Sequence, residues 1–129
     1  MKHLLPEGWP RPKGYANGVA AEGRQVFVAG MIGWNEAGEF ADGFAGQLEQ
    51  ALQNTVAILK EGGAGPEHVV RMTWYVTDLD AYRDNLPAIG AAYRDVMGKN
   101  FPAMAVVGVT GLVEPEAMIE IESTAVVAD

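Results

Sequence analysis

Few side chains in this sequence are equipped for chemistry, and they narrow the choice of reaction. Cysteine is absent, which removes thiolate nucleophiles, disulfides and thiolate metal sites. Ser123 is the only serine, and nothing around it suggests a Ser-His-Asp relay. His3 and His68 are the only histidines, one near the start and one after Pro66, with no metal-ligand spacing. The run Gly62-Gly63-Ala64-Gly65 lacks the Lys-Ser/Thr that completes a phosphate loop. Carboxylate chemistry remains. In Met118-Ile119-Glu120-Ile121-Glu122, alternation puts Met118, Glu120 and Glu122 on one face of a strand, opposite Ile119 and Ile121. Such a glutamate can take and return a proton. On pattern alone, the plainer reading is a solvated carboxylate on a half-exposed strand.

Something must position that strand, and the bulk of the chain limits what it is. The 129 residues fit one domain, residues 1–129, large enough for a core without staples. Hydrophobic residues make up 49% and charged residues 20%, the balance of an ordinary globule. The start of the chain has no long apolar run and is broken by Pro6, Pro10 and Pro12, so neither a signal peptide nor a membrane span is expected. With no cysteine, this points to a cytoplasmic protein. The net charge is -8, and the nine Lys and Arg residues are scattered. Nucleic acid partners need a basic footprint that releases counterions, so none is expected.

Periodicity and punctuation give one series of elements. Residues 1–14 read as irregular, and a short strand is expected over Tyr15–Ala20. Gln25–Ile32 reads as a buried strand. After a glycine-rich turn, Phe44, Leu48, Ala51, Leu52, Thr55, Val56 and Leu59 share a helical face, with Asp42 as cap and Gly62-Gly63 as stop. Val69–Thr77 is a strand with Val70, Met72, Trp74 and Val76 on one face and Arg71, Thr73, Tyr75 and Thr77 on the other. Asp78 can cap a short turn over Leu79–Arg83. Pro87 fits the first turn of a helix over Leu86–Met97, with Asn85 before it and Gly98 after it. Strands over Ala103–Val109 and Ala117–Val127 complete the order β-β-α-β-α-β-β. This predicts an α+β two-layer sandwich, a mixed sheet with two helices on one face. Val107, Val109 and Ile121 are expected on the other face, where apolar residues would favour oligomerisation.

Four stretches in this order resemble the Rid (YjgF/YER057c/UK114) family: YANGVAAEGRQVFVAGMIG, the first helix after its glycine-rich turn, VVRMTWYVTDLDAY, and FPAMAVVGVTGLVEPEAMIEIESTAVV. They span Tyr15 to Val127. The resemblance implies a chorismate-mutase-like fold and a homotrimer with clefts between subunits. It implies hydrolysis of enamines and imines as small-molecule substrates, with no cofactor and no metal. Glu120 occupies the position that lines the family cleft and orients water. Tyr15 stands where a tyrosine would wall the cleft, although packing at the subunit seam is an equal reading. Gly30, Met31 and Ile32 match a turn whose backbone groups face the ligand, with Gly30 as a bulge without a ligand the rival reading, and Met31 replaces a polar residue there. Trp34, on a loop, is a candidate to stack on a planar substrate, with a role at a subunit interface an equal reading. Core packing against the first helix is the preferred reading of Trp74, and a salt bridge between subunits that of Arg71.

One position departs from the pattern. The family's deaminases read Phe-Pro-Ala-Arg where this chain has Phe101-Pro102-Ala103-Met104. That arginine pairs with the substrate carboxylate through two hydrogen bonds, and methionine has no donor for it. Val106 also replaces a more polar or bulkier residue. The pocket is therefore expected to be apolar. It should suit a substrate larger or more aromatic than 2-aminoacrylate, as in arginine-less relatives that act on 2-aminomuconate or hydroxylaminobenzoate. A non-catalytic small-molecule-binding or regulatory trimer is the alternative.

Overall fold

The structure, a computed structural model, describes residues 1–128. Its elements are β1 (Lys2–Leu4), β2 (Gly18–Ala20), β3 (Arg24–Ile32), α1 (Gly43–Glu61), a short 3-10 turn (Pro66–His68), β4 (Val69–Val76), α2 (Leu79–Asp84), α3 (Leu86–Met97), β5 (Ala103–Gly108) and β6 (Ile119–Val127). The main sheet is mixed, in the order β3-β6-β4-β5. β6 runs antiparallel to both β3 and β4, and β4 runs parallel to β5. Helices α1 and α3 pack together on one face, as the α+β sandwich requires.

The core lies between that face and the helices. Leu48, Ala51, Leu52 and Leu59 of α1 are fully buried, with Met72 and Val76 of β4 and Ile119 and Ile121 of β6. Spacing at i, i+4 and i+7 makes α1 a one-sided helix whose stripe covers the sheet. Ile121 is thus on the helix side, not on the open face expected for it. Its partners across the sheet are Trp74 and Met31. The period of two leaves no choice once Glu120 and Glu122 face outward. Val107 does lie on the open face, paired with Tyr75 and 40% exposed. That face is mixed rather than apolar. Arg71, Thr73, Tyr75, Glu120 and Glu122 fill its centre, with Phe27 near one edge at 70% exposure.

Two further differences concern the first residues. Lys2–Leu4 is a strand, not irregular chain, paired antiparallel with Gly18–Ala20. Leu4 lies over Gly18, where an added Cβ would meet its Cδ1 at 3.2 Å. Of the strand expected over Tyr15–Ala20, only Gly18–Ala20 joins β1. Ala16 instead makes an isolated parallel bridge to Ala103. Both pairings are long-range backbone contacts, which side-chain periodicity does not encode.

At the second helical region two local signals hold, while Asn85 precedes α3 without a side-chain cap bond and donates instead to the Ala81 carbonyl at 2.6 Å. The Asp78 carboxylate accepts from the N–H groups of Asp80 and Ala81 at 3.0 and 3.2 Å, capping α2. Pro87 sits in the first turn of α3. Asp42 precedes α1 but its side chain makes no cap hydrogen bond.

Candidate functional site

A cavity of about 570 Å³ opens between α2, α3 and the β4–β5 edge. Tyr15, Met104 and Val106 line it together. Met104 and Val106 point toward the helices because they pair with Met72 and Trp74, both of which face the core. Tyr15 reaches the cavity because its neighbour Ala16 is tied to β5. The Ala16 N–H donates to the Pro102 carbonyl at 2.9 Å, beside the Ala16–Ala103 bridge. The segment Phe101-Pro102-Ala103-Met104 therefore supplies a wall and anchors the tyrosine beside it.

The other walls are aromatic. Trp74, Tyr82, Tyr93 and Phe101 also line the cavity. Tyr93 stacks on Phe101 at 5.5 Å and 13°, and lies 6.2 Å from Trp74. Its hydroxyl donates to the Asn100 carbonyl, and burial pushes its pKa well above the usual tyrosine value. Trp74 is 3% exposed, and its indole N–H has no hydrogen-bond partner. So Trp74 is a core residue as expected, but its aromatic neighbour belongs to α3. Its unpaired donor is one of two buried unpaired side-chain atoms among the described residues, with the Ser123 hydroxyl. Size, concavity and lining all fit a small planar organic molecule.

Glu120 lies on the other side of the sheet. It pairs with Ile32 on β3 and Tyr75 on β4, facing away from the helices. Its carboxylate sits over the α-carbon of Gly30. A Cβ on residue 30 would come within 2.7 Å of its Cδ and 2.9 Å of its Cγ. The strand around Gly30 is irregular, with a shift in pairing between Val28 and Met31. Such a bulge re-aims side chains, and glycine permits the close approach. The buried Gln47 of α1 fixes the start of β6: its amide donates to the Glu116 carbonyl at 3.1 Å and accepts from the Met118 N–H at 2.8 Å.

The remaining candidates sit apart from the cavity. Met31 packs against the core. The Asn54 amide donates to the carbonyls of Ile32 and Trp34 at 3.0 and 2.8 Å, holding both in place. The Trp34 ring pairs with Phe40 at 5.6 Å and does not line the cavity. Arg71 borders a shallow depression on the open face with Phe27, Thr73 and Glu122. Within one chain, then, Tyr15, Met104 and Val106 form one group, and Gly30, Ile32 and Glu120 form another across the sheet.

Sequence reasoning missed two features. Tyr75 donates from its hydroxyl to Glu122 at 2.5 Å, so Glu122 is not a free surface carboxylate. That bond, then partial desolvation and the charges of Glu122 and Glu120, raise the Tyr75 pKa. Tyrosine and glutamate at outward positions of two strands, Tyr75 on β4 and Glu122 on β6, were the available signal. Gly90 and Arg94 of α3 also line the cavity. Their i, i+4 spacing beside Ile89 and Tyr93 marks one helical face. Among the described residues, no cluster of His, Asp and Glu is arranged to hold a metal ion, and no helix is long and apolar enough to cross a membrane.

Comparison with known proteins gives a consistent picture. The family model described as Endoribonuclease L-PSP matches residues 10–127. A RutC family protein of Aquifex aeolicus is 37% identical over 128 residues, covering 98% of this chain and 99% of its own. The human 2-iminobutanoate/2-iminopropanoate deaminase is 30% identical over 114 residues, covering 87% of this chain and 79% of its own. Among solved structures, a Rid family protein of unknown function from Yersinia pestis superposes with a TM-score of 0.85 at 33% identity, over 98% of each chain.

Proposed function

The chain belongs to the Rid (YjgF/YER057c/UK114) family, and on that premise we propose that it is an enamine/imine deaminase for a substrate larger or more aromatic than 2-aminoacrylate. The family includes imine deaminases, the human relative among them. The observation that carries the reading for this chain is the cavity walled by Tyr15, Trp74, Tyr82, Tyr93 and Phe101, with Met104 in place of a cation. Such walls favour a conjugated planar molecule through stacking and burial.

In the reaction, water adds to the imine carbon and the nitrogen gains protons. The C–N bond then breaks, ammonia leaves, and the carbonyl remains. Glu120 positions the water and relays its proton, with Gly30 giving its carboxylate room. Tyr15, Met104 and Val106 hold the organic portion. Because these groups lie on opposite sides of the sheet in one chain, the working site joins two copies, in keeping with a homotrimer. No cofactor and no metal enters this scheme. The net charge of -8 argues against RNA as the substrate. The absent arginine gives a second reading some support: a trimer that binds such a molecule and leaves it intact.

Ammonia release from a panel of imines, extending from 2-aminoacrylate to 2-aminomuconate, tests the proposal. Turnover of the larger members over the small one is expected. Saturable binding with the ligand recovered unchanged would favour the binding trimer.

A further inference from the structure

The cavity has a charge pattern unlike that of the whole chain. Seventeen Asp and Glu residues outnumber nine Lys and Arg, yet the lining includes Lys13 and Arg94 and no carboxylate. Arg94 is the better placed of the two. It rises from α3, whereas Lys13 lies on the irregular segment before Tyr15. Its side chain folds back over Gly90 one turn earlier. A Cβ at Gly90 would meet the Arg94 Nη1 at 3.3 Å, with Cζ and Nη2 at 3.9 Å. The flat guanidinium thus rests against the helix backbone, over a residue that carries no side chain. Glycine within a helix is unfavourable relative to alanine, so this opening is made against local propensity. Among the described residues, Arg94 makes no ion pair and its guanidinium no hydrogen bond, unlike Arg83 with Asp80 or Arg24 with the Gly62 carbonyl.

We infer that Arg94 is the carboxylate-binding group of this cavity, and that the ligand is a planar aromatic or conjugated carboxylate. The ring lies among Tyr15, Trp74, Tyr93 and Phe101, and its carboxylate turns toward α3 rather than toward β5. A guanidinium presents two parallel N–H donors to a carboxylate, which an ammonium does not. The local positive field, in an otherwise acidic protein, also favours an anion over a neutral analogue. With methionine at position 104 on β5, Arg94 puts the carboxylate handle on α3. This inference rests on reading the cavity as the substrate site, but not on turnover.

Benzoate and benzamide serve as probes, because they share a ring and differ in charge. Their affinities would be measured by calorimetry on the intact wild-type chain, Arg94→Gln and Arg94→Lys. The wild type is expected to bind benzoate at least tenfold more tightly than benzamide. In Arg94→Gln that ratio should fall to near one, and Arg94→Lys should retain part of it. Arg94 is exposed, and circular dichroism verifies that each variant is folded. Equal affinity for both probes in the wild type, binding of neither, or a full preference surviving in Arg94→Gln would overturn the assignment. Preference for benzoate without any imine turnover would leave the carboxylate site standing and remove the deaminase reading. Imine turnover without a benzoate preference would do the reverse.

Discussion

The carboxylate of Glu120 occupies the space that a side chain on Gly30 would fill, with Cδ only 2.7 Å from the position of such a Cβ. Strand β6 carries the acid and bulged β3 carries the vacancy, so the two elements together determine where the carboxylate stands. Gly30→Ala should displace the whole end of the glutamate, since Cγ is also too close at 2.9 Å. We expect imine hydrolysis to fall by roughly tenfold to a hundredfold, on the scale of a misplaced general base. Far-ultraviolet circular dichroism should change little. Unaltered ammonia release from a folded Gly30→Ala variant would show that the contact is irrelevant to activity.

Met104 lines the cavity together with Tyr15 and Val106. Met104→Arg should add a donor pair for a short carboxylate. The gain in kcat/KM on 2-aminoacrylate is expected to be roughly tenfold or more, the worth of a charge-assisted hydrogen bond. Failure to gain, in a folded variant, would mean that the surrounding apolar wall excludes the small substrate independently of this residue.

Gly33 faces α1, and a Cβ there would lie 2.5 Å from the Gln47 Cα and 2.6 Å from its carbonyl oxygen. Backbone cannot yield as a flexible side-chain end can. Gly33→Ala should cost about 1–3 kcal/mol in urea unfolding, the range for overpacking. It should also disturb Gln47, which anchors the start of β6. A variant as stable as the parent would contradict the tight approach of strand and helix.

Burial holds the Tyr93 phenol protonated well above its usual range. The folded state therefore keeps this proton where the unfolded chain releases it. The stability it contributes is complete below the unfolded value of about 10 and declines as pH rises from there toward the folded value. In Tyr93→Phe, the fall in Tm above pH 10 should be shallower than in the parent. Parallel declines in the two proteins would show that Tyr93 takes no part in alkaline unfolding.

Much of the fold was legible because its signals are local. The α1 stripe, the Asp78 cap and Pro87 in the first turn of α3 each require only neighbours within a turn or two. The helix-side placement of Met72, Trp74 and Val76 followed from a period of two. Pairing between distant segments was not legible. Nothing in Lys-His-Leu marks β1, and only the Ala16–Ala103 bridge brings Tyr15 beside Met104. The misplacement of Ile121 on the open face conflicted with the outward direction already read for Glu120. Of the candidate site, Tyr15, Met104 and Val106 came together as a wall. Arg94 was not legible as a site residue, because a cation in the last turn of a helix equally suits the helix dipole.

The central claim is that Glu120 activates water for imine hydrolysis, and ammonia release by Glu120→Gln measures it most directly. The substitution keeps the size of the side chain and removes its basicity. With 2-aminomuconate as substrate, the account predicts a fall in kcat of about a hundredfold or more with little change in KM. Equal rates in the variant and the parent, or no ammonia from the parent on any imine, would contradict it.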